Sequence, residues 1–234
     1  MGKTLGIIGG MGPLATVNLF KKIVLLTDAR CDQDHLNILI YNNTSIPDRT
    51  DYLIGSGEDP TDYLIESARK LESMGADYLI MPCNTAHYFY DKIVEHISIP
   101  FLNMIEETAK YITKEYPLER KVGLLATEGT CKTGVYNNVL NKYGIDVIKP
   151  TKDKQKHVTD LIYDIKKGKA NISLEGYYNV IDELKEKGVN IFILGCTELS
   201  VAYEMFNMEG NFVDPVEILA KKAIGFAGKK VKGE

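Results

Sequence analysis

The second half of this sequence repeats the first, and no other feature constrains its fold as strongly. A leucine, a glycine and a cysteine stand at identical intervals in the segments that end at Cys83 and at Cys196. Two further pairs of matching segments occur in the same order: 3–8 with 120–125, and 105–110 with 216–221. Three matches in one order predict a duplicated chain, folded as two similar lobes related by a pseudo-two-fold axis.

Each half alternates short apolar runs with longer amphipathic runs. Residues 78–81 are typical of a buried strand, whereas 63–74 carry apolar side chains at helical spacing. This alternation predicts an α/β fold with mainly parallel sheets flanked by helices. We expect residues 1–102, completed by a C-terminal helix over 214–228, to form the first lobe and residues 103–213 the second. The active site should lie in the cleft between the lobes, because open α/β sheets bind ligands beyond the carboxyl ends of their strands.

Composition excludes several classes of protein. The 28 basic and 32 acidic residues give a net charge of −4, which argues against a nucleic-acid partner. Four cysteines in 234 residues are too few for a disulfide scaffold and are typical of reduced thiols inside a cell. The uncharged stretch 4–20 is short and interrupted by four glycines and a proline, so we expect neither a membrane span nor a signal peptide. The expected location is the cytoplasm.

Cys83 and Cys196 are the strongest candidates for chemistry. Each follows a predicted buried strand and precedes a polar turn that opens a helix, where unpaired N–H groups favour a thiolate. A pseudo-two-fold axis would place the two thiols face to face across the cleft. One ionised and one protonated thiol can then remove a proton from one face of a carbon and deliver another to the opposite face. A single cysteine is more often a buried apolar residue, but two at equivalent repeat positions favour chemistry.

The other cysteines and histidines allow weaker interpretations. Cys31 and His35, like Cys83 and His87, have a spacing that a zinc site can use, but the usual paired ligand units are missing. A nucleophile–base pair of Cys83 and His87 is also open, although it leaves Cys196 unexplained. Cys131 follows a predicted strand in a turn, and we interpret it as non-catalytic. We therefore expect no metal.

The glycine-rich turn at 10–15 fits a relaxed dinucleotide-binding fingerprint. Two features oppose that interpretation: the second strand ends without an acidic residue for a ribose hydroxyl, and Pro13 removes a backbone donor. The alternative is a turn that binds a small carboxylate. Arg49, in a predicted loop over 42–60, is suited to holding a carboxylate, and the basic run 166–169 could place a second cation above the cleft.

Four motifs together resemble the aspartate/glutamate racemase superfamily and are most similar to its aspartate racemase branch: 5–13, 47–50, 81–87 and 195–198. The resemblance covers nearly the whole chain. The glutamate racemase branch usually has an Asp-Ser turn after its first strand and a histidine after its second Cys-Thr. Here those places hold Gly10-Met11 and Glu198.

This resemblance implies a homodimeric racemase that needs no cofactor and interconverts L- and D-aspartate, with Cys83 and Cys196 as its two bases. Glutamate is the further candidate substrate. It also implies a set of substrate-binding residues: Met11, Arg49, Asn84, Thr85, Thr127, Thr130, Lys167, Thr197 and Glu198. Lys166 is the alternative to Lys167. Two other functions stay open at this stage, which are an isomerase of dicarboxylates such as maleate and a dicarboxylate-binding protein without activity.

Overall fold

The computed structural model describes residues 2–233, and its first lobe contains a three-stranded parallel sheet in the order β2-β1-β3. The helices and strands of residues 2–115 have the following bounds: β1 Leu5–Gly9, α1 Pro13–Leu26, β2 Ile38–Asn42, α2 Arg49–Ile54, α3 Thr61–Ser73, β3 Tyr78–Ile80, α4 Tyr90–Val94 and α5 Met104–Glu115.

The second lobe contains a four-stranded parallel sheet in the order β5-β4-β6-β7. The elements of residues 116–233 are β4 Lys121–Ala126, α6 Glu128–Thr133, α7 Val135–Leu140, β5 Asp146–Ile148, α8 Lys152–Lys166, α9 Glu175–Glu186, β6 Phe192–Gly195, α10 Thr197–Met205, β7 Phe212–Val213 and α11 Pro215–Phe226. No helix within residues 2–233 is long and apolar enough to cross a membrane.

The three strands of the first sheet and the first three of the second sheet have the same parallel order, which agrees with the predicted duplication of an α/β unit. The central strands β1 and β4 are flanked by β2 and β3 in one lobe and by β5 and β6 in the other. The counterpart of β7 is a single parallel bridge between Leu79 and Phe101. The carboxyl ends of the parallel strands in each lobe therefore lie at one edge of its sheet.

Equivalent glycines in β1 and β4 show why the repeat is visible in the sequence. A Cβ atom on Gly6 would lie 2.5 Å from Leu79, and one on Gly123 would lie 2.7 Å from Phe192. Leu79 and Phe192 are equivalent in the repeat. Both sheets therefore require a glycine where the neighbouring strand packs closest to the central one.

Helix α11 packs against the sheet of the first lobe. Its residues Val216, Leu219 and Ala220 are fully or almost fully buried in one apolar cluster with Leu5 of β1 and Leu19 of α1. Burying such side chains contributes about 1.5–3 kcal/mol each for the larger ones. This packing agrees with the expected return of the chain to the first lobe, although the domain boundaries themselves stay a prediction.

The predicted loop over 42–60 was wrong in its centre, because Arg49–Ile54 form helix α2. Asp48 caps that helix: its Oδ1 accepts hydrogen bonds from the N–H groups of Thr50 at 2.7 Å and Asp51 at 3.1 Å. A helix of six residues is too short to show a periodic apolar pattern, so the periodicity of the sequence did not predict it. Cys131 likewise lies in helix α6 rather than in a turn.

Candidate active site

A small cavity lies between the lobes at the carboxyl ends of the strands. Its volume, including the part that is open to solvent, is about 270 Å³. The walls of the cavity stand close together, so we expect the lobes to separate when an amino acid binds. The lining residues come from both lobes: Met11, Asp48, Arg49, Thr50, Cys83, Asn84, Thr85, Thr127, Lys166, Cys196, Thr197 and Glu198.

Cys83 is 5% exposed and begins the turn that follows β3. The neighbouring His87 orients this turn, because its Nδ1 lies 2.8 Å from the Cys83 carbonyl oxygen and its Nε2 accepts the Met104 N–H at 3.0 Å. Complete burial lowers the pKa of His87 to about 4, so the ring is neutral and its Nδ1 donates to the carbonyl. His87 therefore bonds to the backbone of Cys83, and the predicted alternative of a Cys83–His87 nucleophile–base pair is not supported.

Cys196 is 7% exposed and precedes the first residue of helix α10. Its thiol donates a hydrogen bond to Glu198 Oε2, with 2.8 Å between sulfur and oxygen, and the Thr197 hydroxyl donates to the same oxygen at 3.3 Å. Burial and the adjacent Glu198 carboxylate raise the pKa of Cys196 well above its usual range, while Lys166 opposes that rise. The geometry therefore stabilises Cys196 as a protonated thiol.

Arg49 is the first residue of α2 and is buried against the cavity. Its guanidinium donates to three backbone carbonyl oxygens: Pro47 at 3.0 Å, Ile46 at 3.4 Å and Met11 at 3.4 Å. Its Nε is buried without a hydrogen-bond partner. The carbonyls fix the orientation of the side chain, but they are neutral and do not balance its positive charge. The Nε donor therefore stays available to an anion.

Asn84 contributes a second unpartnered donor. Its Oδ1 accepts the hydroxyl of buried Tyr136 at 2.5 Å, which leaves the amide nitrogen Nδ2 buried without a partner. Leaving a buried N–H unsatisfied costs about 1–3 kcal/mol, so such donors in a cavity indicate where a ligand accepts hydrogen bonds. Arg49 and Asn84 both line the cavity, and each offers one unpartnered N–H donor.

Three threonine hydroxyls connect the lobes beside Cys83. Thr85 Oγ1 lies 3.1 Å from Thr127 Oγ1 and 2.8 Å from Thr130 Oγ1, and the latter two are 3.1 Å apart. Thr127 also caps α6 by accepting the Thr130 N–H at 3.2 Å. Thr85 and Thr127 line the cavity, whereas Thr130 supports them from behind. The three residues were all predicted for the site, and the structure brings them together.

The structure places Lys166, not Lys167, at the cavity, which corrects the predicted choice between them. Lys166 lies three residues after Tyr163 on the same face of α8, with its ammonium 5.0 Å from the centre of that ring and 3.9 Å from Asp48 Oδ2. Partial burial lowers the pKa of Lys166, but Cys196, Glu198 and Asp48 raise it by more, so the ammonium is charged. Lys167 follows the last turn of the helix, about 100° further round, and is exposed.

Asp48 and Thr50 line the cavity but were absent from the predicted site. Both belong to the motif 47–50 around Arg49, so this motif could have indicated them as candidates. What it did not reveal is that α2 packs against α6 of the other lobe, where a Cβ on Gly129 would lie 3.0 Å from the Thr50 backbone. Their position depends on this contact between lobes.

One backbone donor of the glycine-rich turn that a dinucleotide could use is already engaged within the turn. The Gly10 N–H donates to the Thr16 hydroxyl at 3.0 Å, and that hydroxyl donates to the Gly12 carbonyl at 3.0 Å. Pro13 follows as the first residue of α1. The turn instead contacts the other lobe, because a Cβ on Gly12 would lie 3.4 Å from Glu198 Oε1. Within residues 2–233 no three histidine, cysteine or acidic side chains cluster in a way that suits a metal ion.

Comparison with known proteins identifies the family. A sequence model of Asp/Glu/hydantoin racemases matches residues 8–223. The broad-specificity amino-acid racemase RacX of Bacillus subtilis is 32% identical over 225 residues, which cover 94% of this chain and 96% of that protein. The structure of an aspartate racemase from Picrophilus torridus is 36% identical, with a TM-score of 0.87 and coverage of 99% of this chain and 96% of that one.

An aspartate racemase homologue from Pyrococcus horikoshii is also similar in structure, with 25% identity, a TM-score of 0.76 and coverage of 97% of this chain and all of that one. These similarities span the cavity, both sheets and the two cysteine turns. They confirm the resemblance that the motifs indicated. The chain therefore belongs to the Asp/Glu/hydantoin racemase family and is an isomerase.

Proposed function

We propose that this enzyme interconverts the L- and D-forms of aspartate by moving protons between the α-carbon and two cysteine thiols. The observation that carries the proposal is the placement of Cys83 and Cys196, which follow equivalent strands of the two lobes and line the same cavity. Two thiols on opposite sides of a bound substrate supply both the base and the acid. No separate cofactor is then needed to move the proton.

The α-carboxylate of the substrate is the proposed partner of the two unpartnered donors, Arg49 Nε and Asn84 Nδ2. Both belong to buried side chains whose other polar atoms are already held by carbonyl or hydroxyl groups. Because these side chains are fixed before the substrate arrives, little conformational freedom is lost on binding. Hydrogen bonds to a charged carboxylate are about twice as strong as those to a neutral group.

The side-chain carboxylate of aspartate is the proposed partner of Lys166. The Lys166 ammonium faces Asp48, and Cys196 and Glu198 also act on it electrostatically. A dicarboxylate substrate therefore brings a charge that Lys166 can pair with at close range. One methylene separates aspartate from glutamate, and a pocket discriminates such a difference by only about 1–3 kcal/mol. Glutamate is thus the second substrate to test.

The reaction is difficult because the α-hydrogen of an amino acid is a weak acid. In our proposal the Arg49 and Lys166 charges lie near the carboxylates of the substrate, and the Thr85 and Thr127 hydroxyls lie beside the reacting face. Fixed donors and cations stabilise developing negative charge better in a water-poor cavity than in bulk water. The small volume of the cavity is consistent with such exclusion of water around a bound substrate.

Proton exchange followed by NMR tests this proposal. The wild type, Cys83→Ala, Cys196→Ala and Cys31→Ala are each incubated with L- or D-aspartate in D₂O without pyridoxal phosphate. We expect the wild type to replace the α-proton by deuterium and to generate the other enantiomer. Neither cavity variant should racemise aspartate, whereas Cys31→Ala should keep full activity because Cys31 is exposed and remote from the cavity.

The outcomes separate the proposal from its alternatives. Full racemisation by Cys83→Ala or by Cys196→Ala would overturn the two-cysteine mechanism. Exchange on neutral amino acids but not on aspartate or glutamate would retain the mechanism and change the substrate. If no amino acid exchanges, conversion of maleate would identify a dicarboxylate isomerase, and saturable binding without conversion would identify a binding protein.

A further inference from the structure

The two lobes are not equivalent at the position two residues after each cysteine. The repeat places Thr85 after Cys83 and Glu198 after Cys196. The Thr85 hydroxyl bonds to Thr127 and Thr130 of the other lobe. The Glu198 carboxylate instead accepts the thiol proton of its own cysteine at 2.8 Å. The duplication has therefore given one thiol a carboxylate partner at a position where the other lobe has a hydroxyl.

Glu198 is held firmly in this place. It is 3% exposed, and the Thr197 hydroxyl donates to the same oxygen that accepts from Cys196. Its other oxygen, Oε1, lies beside the turn of the first lobe, where Gly12 has no side chain to displace it. Since a buried carboxylate is costly unless it is hydrogen-bonded or paired, this arrangement is a specific feature of the site.

The charged and titratable groups that act on Cys196 come from several elements. Lys166 of α8 favours its thiolate, and Glu198 of α10 opposes it more strongly. The remaining neighbours are Asp48 and Arg49, which act on Lys166, and the hydroxyls of Tyr136 and Tyr163, whose pKa values are raised mainly by burial. Cys83 lines the same cavity from the opposite lobe.

We propose that Glu198 is a positioning residue that retains the proton on Cys196, so that the substrate-free enzyme rests with Cys196 as the acid and Cys83 as the thiol that ionises first. This inference rests on the two-cysteine function proposed above. The enantiomer whose α-hydrogen faces Cys83 then meets an enzyme ready to react. The opposite enantiomer requires the reverse distribution of the proton, with Cys196 ionised beside the Glu198 carboxylate.

The proton balance of one turnover shows the consequence. Cys83 takes the α-proton from one face of the carbon, and Cys196 gives its thiol proton to the other face. The enzyme is left with a Cys83 thiol and a Cys196 thiolate next to a carboxylate, which is the less stable form because like charges are adjacent. Turnover of the opposite enantiomer, or exchange through water after the lobes open, restores the resting form.

Titration of the thiols without substrate tests this directly. Thiolate absorbance is followed against pH in Cys83→Ala, which reports Cys196, and in Cys196→Ala, which reports Cys83. The variant without either cysteine gives the background from Cys31 and Cys131. We expect Cys196 to ionise at a higher pH than Cys83. Glu198→Gln in the Cys83→Ala background should lower the Cys196 midpoint by at least about one pH unit, a tenfold change in its ionised fraction.

Glu186→Gln provides the matched control, since Glu186 is an exposed residue of α9. It should leave the Cys196 midpoint unchanged. An unchanged midpoint in Glu198→Gln, or ionisation of Cys196 below Cys83, would overturn the inference. Circular dichroism checks that the variants are folded. If Glu198→Gln does not fold, the comparison of the two single-cysteine variants still decides the order of ionisation.

Kinetics give an independent readout. Because enantiomers have equal free energies, kcat/KM must be the same for the L- and D-substrate in any variant, and only the separate kcat and KM values can differ. We expect those values to be unequal for the two enantiomers in the wild type and to converge in Glu198→Gln. The titration needs no turnover, so failure of racemisation and failure of this inference are distinguishable.

Discussion

Replacing Lys166 and Lys167 in turn gives a sharp test of how the site recognises its substrate. The two residues are adjacent and chemically identical, but only Lys166 lines the cavity. Lys166→Met and Lys167→Met both keep most of the aliphatic stem and remove the charge. Any general effect of losing a positive charge at the end of α8 is therefore common to both variants, and the difference between them measures the contact with substrate.

The expected magnitude follows from the surroundings of Lys166. A hydrogen bond to a charged group is worth about 1.5–3 kcal/mol, which corresponds to about 10- to 150-fold in kcat/KM. The side chain is 27% exposed and lies 3.9 Å from Asp48 Oδ2, so solvent and this carboxylate compete with a substrate. We therefore expect the lower part of this range, about 10- to 30-fold, for aspartate. Lys167→Met should change kcat/KM by less than about twofold.

Chiral chromatography of D-aspartate formed from L-aspartate gives the rates, and alanine serves as a substrate without a second carboxylate. The loss in Lys166→Met should be confined to aspartate and glutamate, because only these substrates present a carboxylate to the ammonium. An equal loss for alanine would show that Lys166 acts on the shared part of the substrate. An equal loss in Lys167→Met would refute the assignment of Lys166 from the geometry of α8.

Three further predictions concern stability. Tyr136→Phe should lower the free energy of unfolding in urea by about 1–3 kcal/mol, because Asn84 Oδ1 loses its buried donor, and it should also weaken activity. Burial lowers the pKa of His87 from 6.5 in the unfolded chain to about 4 in the folded protein. As the pH falls, the unfolded chain is therefore protonated first, and the free energy of unfolding should decrease by about 3 kcal/mol from pH 6.5 to pH 4. Calorimetry should find a smaller decrease in His87→Gln. Leu124→Ala in the core of the second sheet should cost about 2–5 kcal/mol, against less than about 0.5 for Leu118→Ala, which is 89% exposed.

The sequence predicted the duplicated fold because the constraints that produce it are local and occur twice. Gly6 and Gly123 are required by close strand packing in each lobe, and buried strands of apolar residues precede both cysteines. The site residues that lie in the strand-end turns were predictable for the same reason. Their positions are fixed by the sheet, and a parallel sheet gathers the turns at one edge.

The features that the sequence did not reveal depend on contacts between segments far apart in the chain. Asp48 and Thr50 line the cavity because α2 packs against α6, and no periodic pattern marks so short a helix. The choice of Lys166 over Lys167 depends on where α8 ends relative to the cavity, and a shift of one residue rotates a side chain by about 100°. The hydrogen bond from Cys196 to Glu198 depends on side-chain rotamers, which the spacing of the two residues in the sequence does not determine.

The two substrates of a racemase are mirror images at the α-carbon, but a binding site built of L-amino acids cannot be mirror-symmetric. Duplication of a lobe approximates such symmetry, because it places one thiol after each of two equivalent strands. The substrate still has distinct carboxyl, amino and side-chain groups, so the surroundings of the two thiols must differ. The differences are concrete here: hydroxyls of Thr127 and Thr130 face one cysteine turn, and the glycine-rich turn faces the other, leaving room for Glu198. In the proposed mechanism, the near-symmetry of the backbone supplies the two proton carriers, and the departure from symmetry in the side chains binds the substrate.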